Sequence, residues 1–151
     1  MTKILIAYYS KTGKTEKIAN LIAEGAKSVQ GVTVETKKTD EITAKEAVKA
    51  DGFAFGSPSY FSLMAGPLLT LLTEFYFNKD ALAGKPMAAF STGVGSQTKA
   101  IENVESILKA FNPKLIQPSL AVGKEISATD EAQAKVLGEK LAKAAKETKT
   151  K

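Results

Sequence analysis

Short, almost uninterrupted apolar runs alternate with stretches of helical period along the whole chain, and no other feature restricts the fold as much. Lys3–Tyr9 (KILIAYY), Gly52–Gly56 (GFAFG) and Pro86–Phe90 (PMAAF) carry hydrophobic residues on both sides of a strand. Such runs belong to parallel strands covered on two faces. Val32–Lys37 alternates apolar and polar residues like a strand near a sheet edge, and Lys114–Val122, around Pro118, supplies a fifth. Between them Ile18, Leu21, Ile22, Ala26 and Val29 recur at helical spacing until Gly31. Ala44–Lys49 reads as a short helix, and Leu68–Tyr76 as one with a broad apolar face. Ile101, Val104, Leu108 and Phe111 line another helix, and Val136, Leu137, Leu141 and Ala145 the last. Repeated β-α units imply a parallel sheet between two helical layers, joined by right-handed crossovers: an α/β three-layer sandwich.

At 151 residues the chain is one domain's worth, expected over 1–147 and followed by a short basic tail at 148–151. A chain this long buries enough surface to fold without disulfides or metals. The absence of Cys excludes thiolate nucleophiles and Cys-ligated clusters, and the absence of His removes the commonest general base. Any chemistry must come from hydroxyls, carboxylates, Lys, backbone amides or a bound cofactor. Net charge is +5, and Lys135–Lys151 holds six lysines against two glutamates. With no Arg to fork onto phosphates or bases, this surplus reads as a solvated helix end; an acidic partner is the second reading and nucleic acid the last. The first residues lack a signal peptide's length, and no run is long enough to insert into a membrane, so a cytoplasmic protein is expected.

Three turns follow the first, third and fourth strands, where ligands bind in open α/β sheets. The first, Ser10-Lys11-Thr12-Gly13-Lys14-Thr15, leads into a helix, whose N-terminus offers unpaired N–H groups and partial positive charge to a phosphate. It reads equally as a plain capping turn. It is not a nucleoside-triphosphate loop, because the first glycine of that motif would fall at Tyr8. The second, Ser57-Pro58-Ser59-Tyr60-Phe61, sets two aromatics at a turn, to stack on a flat ring or to fold onto the core. The third, Ser91-Thr92-Gly93-Val94-Gly95-Ser96, is built of small residues that let a planar ring approach the backbone, unless it is simply a flexible loop. Phe75-Tyr76-Phe77 reads first as core, then as a contact between copies, then as a substrate wall.

Tyr8–Thr15 resembles the FMN-phosphate loop of flavodoxins, while Gly56–Phe61 with Met64-Ala65-Gly66, and Phe90–Gly93, resemble the flavodoxin-like quinone reductases of the WrbA type. The likeness runs through the whole chain in order. It implies a five-stranded sheet in the order 2-1-3-4-5 and an FMN cofactor. Ser10–Thr15 would hold the FMN phosphate, Ser59, Tyr60 and Phe61 would flank the isoalloxazine with Ser57 and Pro58 also in the cofactor site, and Ser91–Ser96 would meet its pyrimidine edge. Lys11 and Lys14 would add positive charge beside the phosphate. Two activities are compatible with that resemblance: an electron carrier serving a redox partner protein, or an NAD(P)H:quinone or FMN reductase. A fold that no longer binds flavin is a third reading, and an oligomer is possible.

Overall fold

The computed structural model describes residues 1–150 of the 151. In chain order the elements are β1 (Thr2–Tyr8), α1 (Lys14–Lys27), β2 (Val32–Lys38), α2 (Ala44–Ala47), β3 (Gly52–Tyr60) and β4 (Leu63–Met64). Then come α3 (Gly66–Tyr76), β5 (Pro86–Thr92), α4 (Gln97–Leu108), β6 (Lys114–Leu115), β7 (Leu120–Val122) and α5 (Ala128–Thr150). The parallel sheet runs β2-β1-β3-β5-β6, with β7 also on β5. Since β6 and β7 both pair β5 in parallel, at Pro86↔Lys114 and Phe90↔Leu120, they are two halves of the expected fifth strand. The order 2-1-3-4-5 is therefore the observed one. The break falls around Pro118, which has no N–H to give a ladder.

Side-chain alternation along the strands builds two cores. On one face Ile4, Ile6, Ala54 and Phe90 pack against Ile18, Ile22, Leu137 and Leu141 of α1 and α5. On the other, Leu5, Phe53, Phe55 and Met87 pack against Leu68, Leu72, Phe75, Val104 and Leu108 of α3 and α4. The run GFAFG thus has a large face and a small one. Phe53 and Phe55 stack at 5.9 Å, and Phe75 meets both edge-on at 5.7 and 5.5 Å. Opposite, a Cβ on Gly56 would overlap the Phe90 ring, so only glycine fits there.

Three expectations need correction. The stretch Ser57–Phe61 is not a turn: β3 continues to Tyr60, and the chain reverses in an antiparallel hairpin pairing Ser59↔Met64 and Tyr60↔Leu63. Its two turn residues, Phe61 and Ser62, have φ of 54° and 66°. Two-residue hairpin loops favour this left-handed backbone because its twist matches the strands. Second, β5 runs through Ser91 and Thr92, so the third loop begins at Gly93. Third, α5 stays helical through Thr150, where a tail was expected from 148. Its last turn is held by Lys149, which donates to the Met1 carbonyl at 2.6 Å and the Asp51 carboxylate at 3.2 Å. Lys151 lies outside the described residues. Among the described residues no helix is long and apolar enough to cross a membrane.

Candidate functional site

The carboxyl ends of β1, β3, β5 and β7 converge on one edge. At the end of β1 the backbone turns through Gly13, whose φ of 95° is the left-handed region, and enters α1. The Ser10 hydroxyl folds back onto the turn. It accepts from the N–H of Gly13 at 3.1 Å and of Glu16 at 3.3 Å. The N–H groups of Lys11, Thr12, Lys14 and Thr15 have no partner among the described residues. A neutral oxygen thus marks the place where a helix dipole and several free donors would hold an anionic one. A Cβ built on Gly13 would meet nothing within 4 Å, so glycine stands here for its left-handed φ and not for want of space. These features fit a phosphate monoester.

Not every expected residue faces this cradle. The Thr15 side chain is buried and shares a hydrogen bond with Thr92 Oγ1 at 2.9 Å, which fastens the first loop to the end of β5. Lys14 turns its amine onto the Gly123 carbonyl, beyond β7, instead of leaving it free beside the turn. Burial pulls its pKa down, against an opposing pull from Asp130 and Glu125. The Tyr8 hydroxyl donates to Glu16 at 2.7 Å; burial and that carboxylate push the phenol's pKa up, so it stays protonated. Lys11 and Thr12 are exposed at the rim.

The ends of β3 and β5 form the second half of the edge. Ser57 is buried and serves the hairpin, accepting from the Ala65 N–H at 2.7 Å and donating to the Pro58 carbonyl at 2.7 Å. Ser91 is buried with a hydroxyl that finds no partner among the described residues. The side chains of Ser57, Ser91 and Thr92 are buried, and those of Ser57 and Thr92 are bonded within the protein. Ser59 donates to the Ser96 carbonyl at 3.0 Å and shares a second hydrogen bond with the Ser96 hydroxyl at 2.6 Å. This ties the hairpin to the loop Gly93–Ser96. That loop is shaped by Gly93 N–H to the Val122 carbonyl at 3.0 Å and Gly95 N–H to Gln97 Oε1 at 2.8 Å. The N–H groups of Val94 and Ser96 remain open among the described residues. Tyr60 is exposed, and Phe61 and Val94 stand 98% and 82% clear of the protein. Two apolar strand tips with free donors between them suit a flat heteroaromatic ring with polar edges.

Sequence reading missed Gln97, Gly123 and the Tyr8–Glu16 pair. Gly123 had a signal: it follows the fifth strand, and that strand's carboxyl end lies on the same edge as the other three. A separate hollow of about 670 Å³, lined by Pro118, Val136, Leu137 and Lys140, opens on the flank between β7 and α5. None of the residues of the three loops lines it.

Comparison with known proteins agrees with this geometry. The family model described as Flavodoxin matches residues 6–138. A flavodoxin from Clostridium saccharobutylicum is 31% identical over 159 residues, covering 96% of this chain and 98% of that protein. A flavodoxin from Aquifex aeolicus (strain VF5) is 36% identical over 96 residues, and the match spans 63% of this chain and about half, 52%, of that relative. Among solved structures, a flavodoxin from the domain Archaea superposes with a TM-score of 0.88 at 23% identity, covering 96% of this chain and 99% of that one. With β-α order and strand order also in agreement, the chain belongs to the flavodoxin family, whose cofactor is FMN.

Proposed function

We propose that this chain is a small FMN-dependent electron carrier of the cytoplasm, passing electrons to and from a redox partner protein. The observation that carries the reading is the start of α1, where one serine hydroxyl sits among the free backbone N–H groups of Lys11, Thr12, Lys14 and Thr15. FMN, when bound, supplies the redox chemistry, and the protein supplies binding, orientation and electrostatics. The N–H groups of Lys11–Thr15 hold the phosphate, and Ser10 exchanges its acceptor role for donation to a phosphate oxygen. Tyr60, Phe61 and Val94 would shield a bound ring from water, while the open N–H groups of Val94 and Ser96 would be donors to its carbonyl groups. The Phe61 and Ser62 carbonyls, free of partners among the described residues, are acceptors for a proton held at a ring nitrogen. No side chain has to act as a general acid or base, which agrees with a chain that has neither His nor Cys.

The carrier reading is preferred to a quinone or FMN reductase because a hydride-accepting enzyme also needs a site for the nicotinamide cofactor. The chain has no Arg for a nucleotide phosphate, and the aromatic tip stands open to a macromolecule. The test is an FMN titration followed by stepwise anaerobic reduction and a steady-state assay with NADH or NADPH and a benzoquinone. Stoichiometric FMN binding with a reversible visible spectrum and no nicotinamide turnover is expected. Rapid turnover would establish the reductase instead, and absence of FMN binding would remove both.

A further inference from the structure

We infer that the amino edge of the sheet is a docking surface for an anionic phospholipid bilayer, on which the chain rests with its candidate cofactor edge turned away. The helices run opposite to the parallel strands, so helix ends and strand starts share this edge. Hydrogen bonds knit it into one surface. Lys146 donates to the Gln30 carbonyl at 2.6 Å, Lys85 to the Val48 carbonyl at 2.8 Å, and the Gly84 N–H to the Asn112 carbonyl at 2.8 Å. Across its segments, 27–31, 45–51, 76–85, 108–114 and 146–150, nine lysines stand against four carboxylates, a net +5. The rest of the described chain holds eleven lysines against twelve carboxylates, a net −1. The charge surplus therefore belongs to one end of the molecule. Helix dipoles favour a cation in each last turn, which accounts for Lys27 and Lys149 but not for Lys79 and Lys85 after α3 or Lys114 at the start of β6.

Aromatic side chains stand among these cations. Phe77, at the end of α3, is 79% exposed, and the half-exposed Tyr76 meets it edge-on at 6.1 Å. Lys79 lies 4.5 Å over the Tyr76 ring and, with Lys109, lines a hollow of about 370 Å³ that includes a single carboxylate, Asp80. Lys79, Lys109 and Lys114 are exposed and have no carboxylate partner among the described residues. The chemistry of the edge decides between anionic occupants. Guanidinium forks read nucleic acid, and the chain has no Arg. Lysines are hydrated point charges on flexible stems, and here they are spread over five segments, which suits a diffuse negative surface better than one fitted acidic partner. A bilayer also takes up the aromatic pair, since rings enter the headgroup boundary without needing a matching pocket. Five strands give an edge about 20 Å wide, and a seven-residue strand sets the opposite edge ~23 Å away, clear of the surface. The inference stands apart from the flavin reading, because no residue of the three loops takes part.

Flotation of the full chain with vesicles tests it, using phosphatidylcholine alone and phosphatidylcholine with ~30% phosphatidylserine. Binding is expected to the anionic vesicles only, and should fall at least ~10-fold between ~50 mM and ~500 mM NaCl. Lys109→Glu/Lys114→Glu should weaken it at least ~10-fold, and Phe77→Ser at least ~3-fold. Lys99→Glu/Lys124→Glu makes the same change in net charge at exposed positions on the opposite edge, and should cost less than ~2-fold. Phe77→Ser reads the same surface should either double variant fold poorly. No binding to anionic vesicles at ~50 mM NaCl, equal losses from the two double variants, or indifference to Phe77→Ser would overturn the inference. So would tighter association with polyglutamate or with duplex DNA than with the vesicles, which would give the edge to an acidic protein or to nucleic acid.

Discussion

Ser10 and Ser91 lie at the ends of β1 and β5, on either side of β3, and their hydroxyls are in opposite situations. The Ser91 hydroxyl is buried with no partner among the described residues, so it has lost its water without replacement. Leaving such a group unsatisfied costs about 1–3 kcal/mol, and removing it returns much of that. Ser91→Ala should therefore raise the unfolding free energy by about 1 kcal/mol in urea denaturation; a loss of stability would show that the hydroxyl is satisfied after all. Ser10 is half-exposed and accepts two N–H groups. Its replacement by Ala should cost little in stability but weaken FMN binding by about 1 kcal/mol, roughly fivefold, if its hydroxyl contributes one ordinary hydrogen bond to the phosphate. Unchanged affinity in an FMN fluorescence titration would take Ser10 out of the phosphate site. The sequence could name both serines but not separate them. Strand ends are ±2 residues uncertain, and that margin decides whether Ser91 and Thr92 lie in the sheet or in the loop.

Among the elements, the crossing of α1 and α5 is the tightest contact. A Cβ on Gly25 would overlap the Lys135 carbonyl, and one on Gly138 would overlap the Ile22 carbonyl, so each helix is seated in a glycine notch of the other. Ala within a helix gains about 1 kcal/mol in propensity over Gly, but the overlap is with rigid backbone. Overpacking should win: Gly25→Ala and Gly138→Ala should each lower stability by about 2 kcal/mol, read from thermal or urea unfolding. Gly66→Ala at the open start of α3 should be close to neutral; equal losses at all three positions would refute the notch. The helices were legible because their periodicity is strong, whereas these glycines carry no sign of which neighbour they admit. The hairpin was hidden for a different reason. Its turn is Phe61-Ser62, with none of the Asn-Gly or Asp-Gly chemistry that announces left-handed turns, and Pro58 lies within the strand that leads to it. Pairing with Met64 and Leu63, reinforced by Ser57 bonding the Ala65 N–H, overrides the local preference. The fifth strand was legible as a strand but not as two, since the interruption at Ile116–Ser119 depends on how β5 is paired at either end.

At the scale of the whole molecule, the candidate site exists only when the sheet is assembled. Its residues come from the ends of β1, β3 and β5; Thr15–Thr92 ties the β1 loop to β5, Ser59–Ser96 ties β3 to the loop after β5, and Lys14–Gly123 ties the first loop to the residue beyond β7. Sequence alone could place the loops on one edge by the rule for open α/β sheets, but not find the Lys14 and Thr15 ties, which join residues 109 and 77 positions apart. A cofactor held by such a site binds the native chain and not the unfolded one, so its binding energy adds directly to stability. FMN at about 100 times its Kd should contribute about 2.7 kcal/mol, which for a domain of this size corresponds to a rise in Tm of roughly 5–10 °C. Riboflavin has the same ring and no phosphate. If the donors at the start of α1 supply a main part of the affinity, riboflavin at the same concentration should move Tm far less, and high inorganic phosphate should compete with FMN. Equal shifts from the two flavins in differential scanning calorimetry would locate the affinity in the ring contacts at Tyr60, Phe61 and Val94 and leave the turn at Ser10–Thr15 as an ordinary helix start.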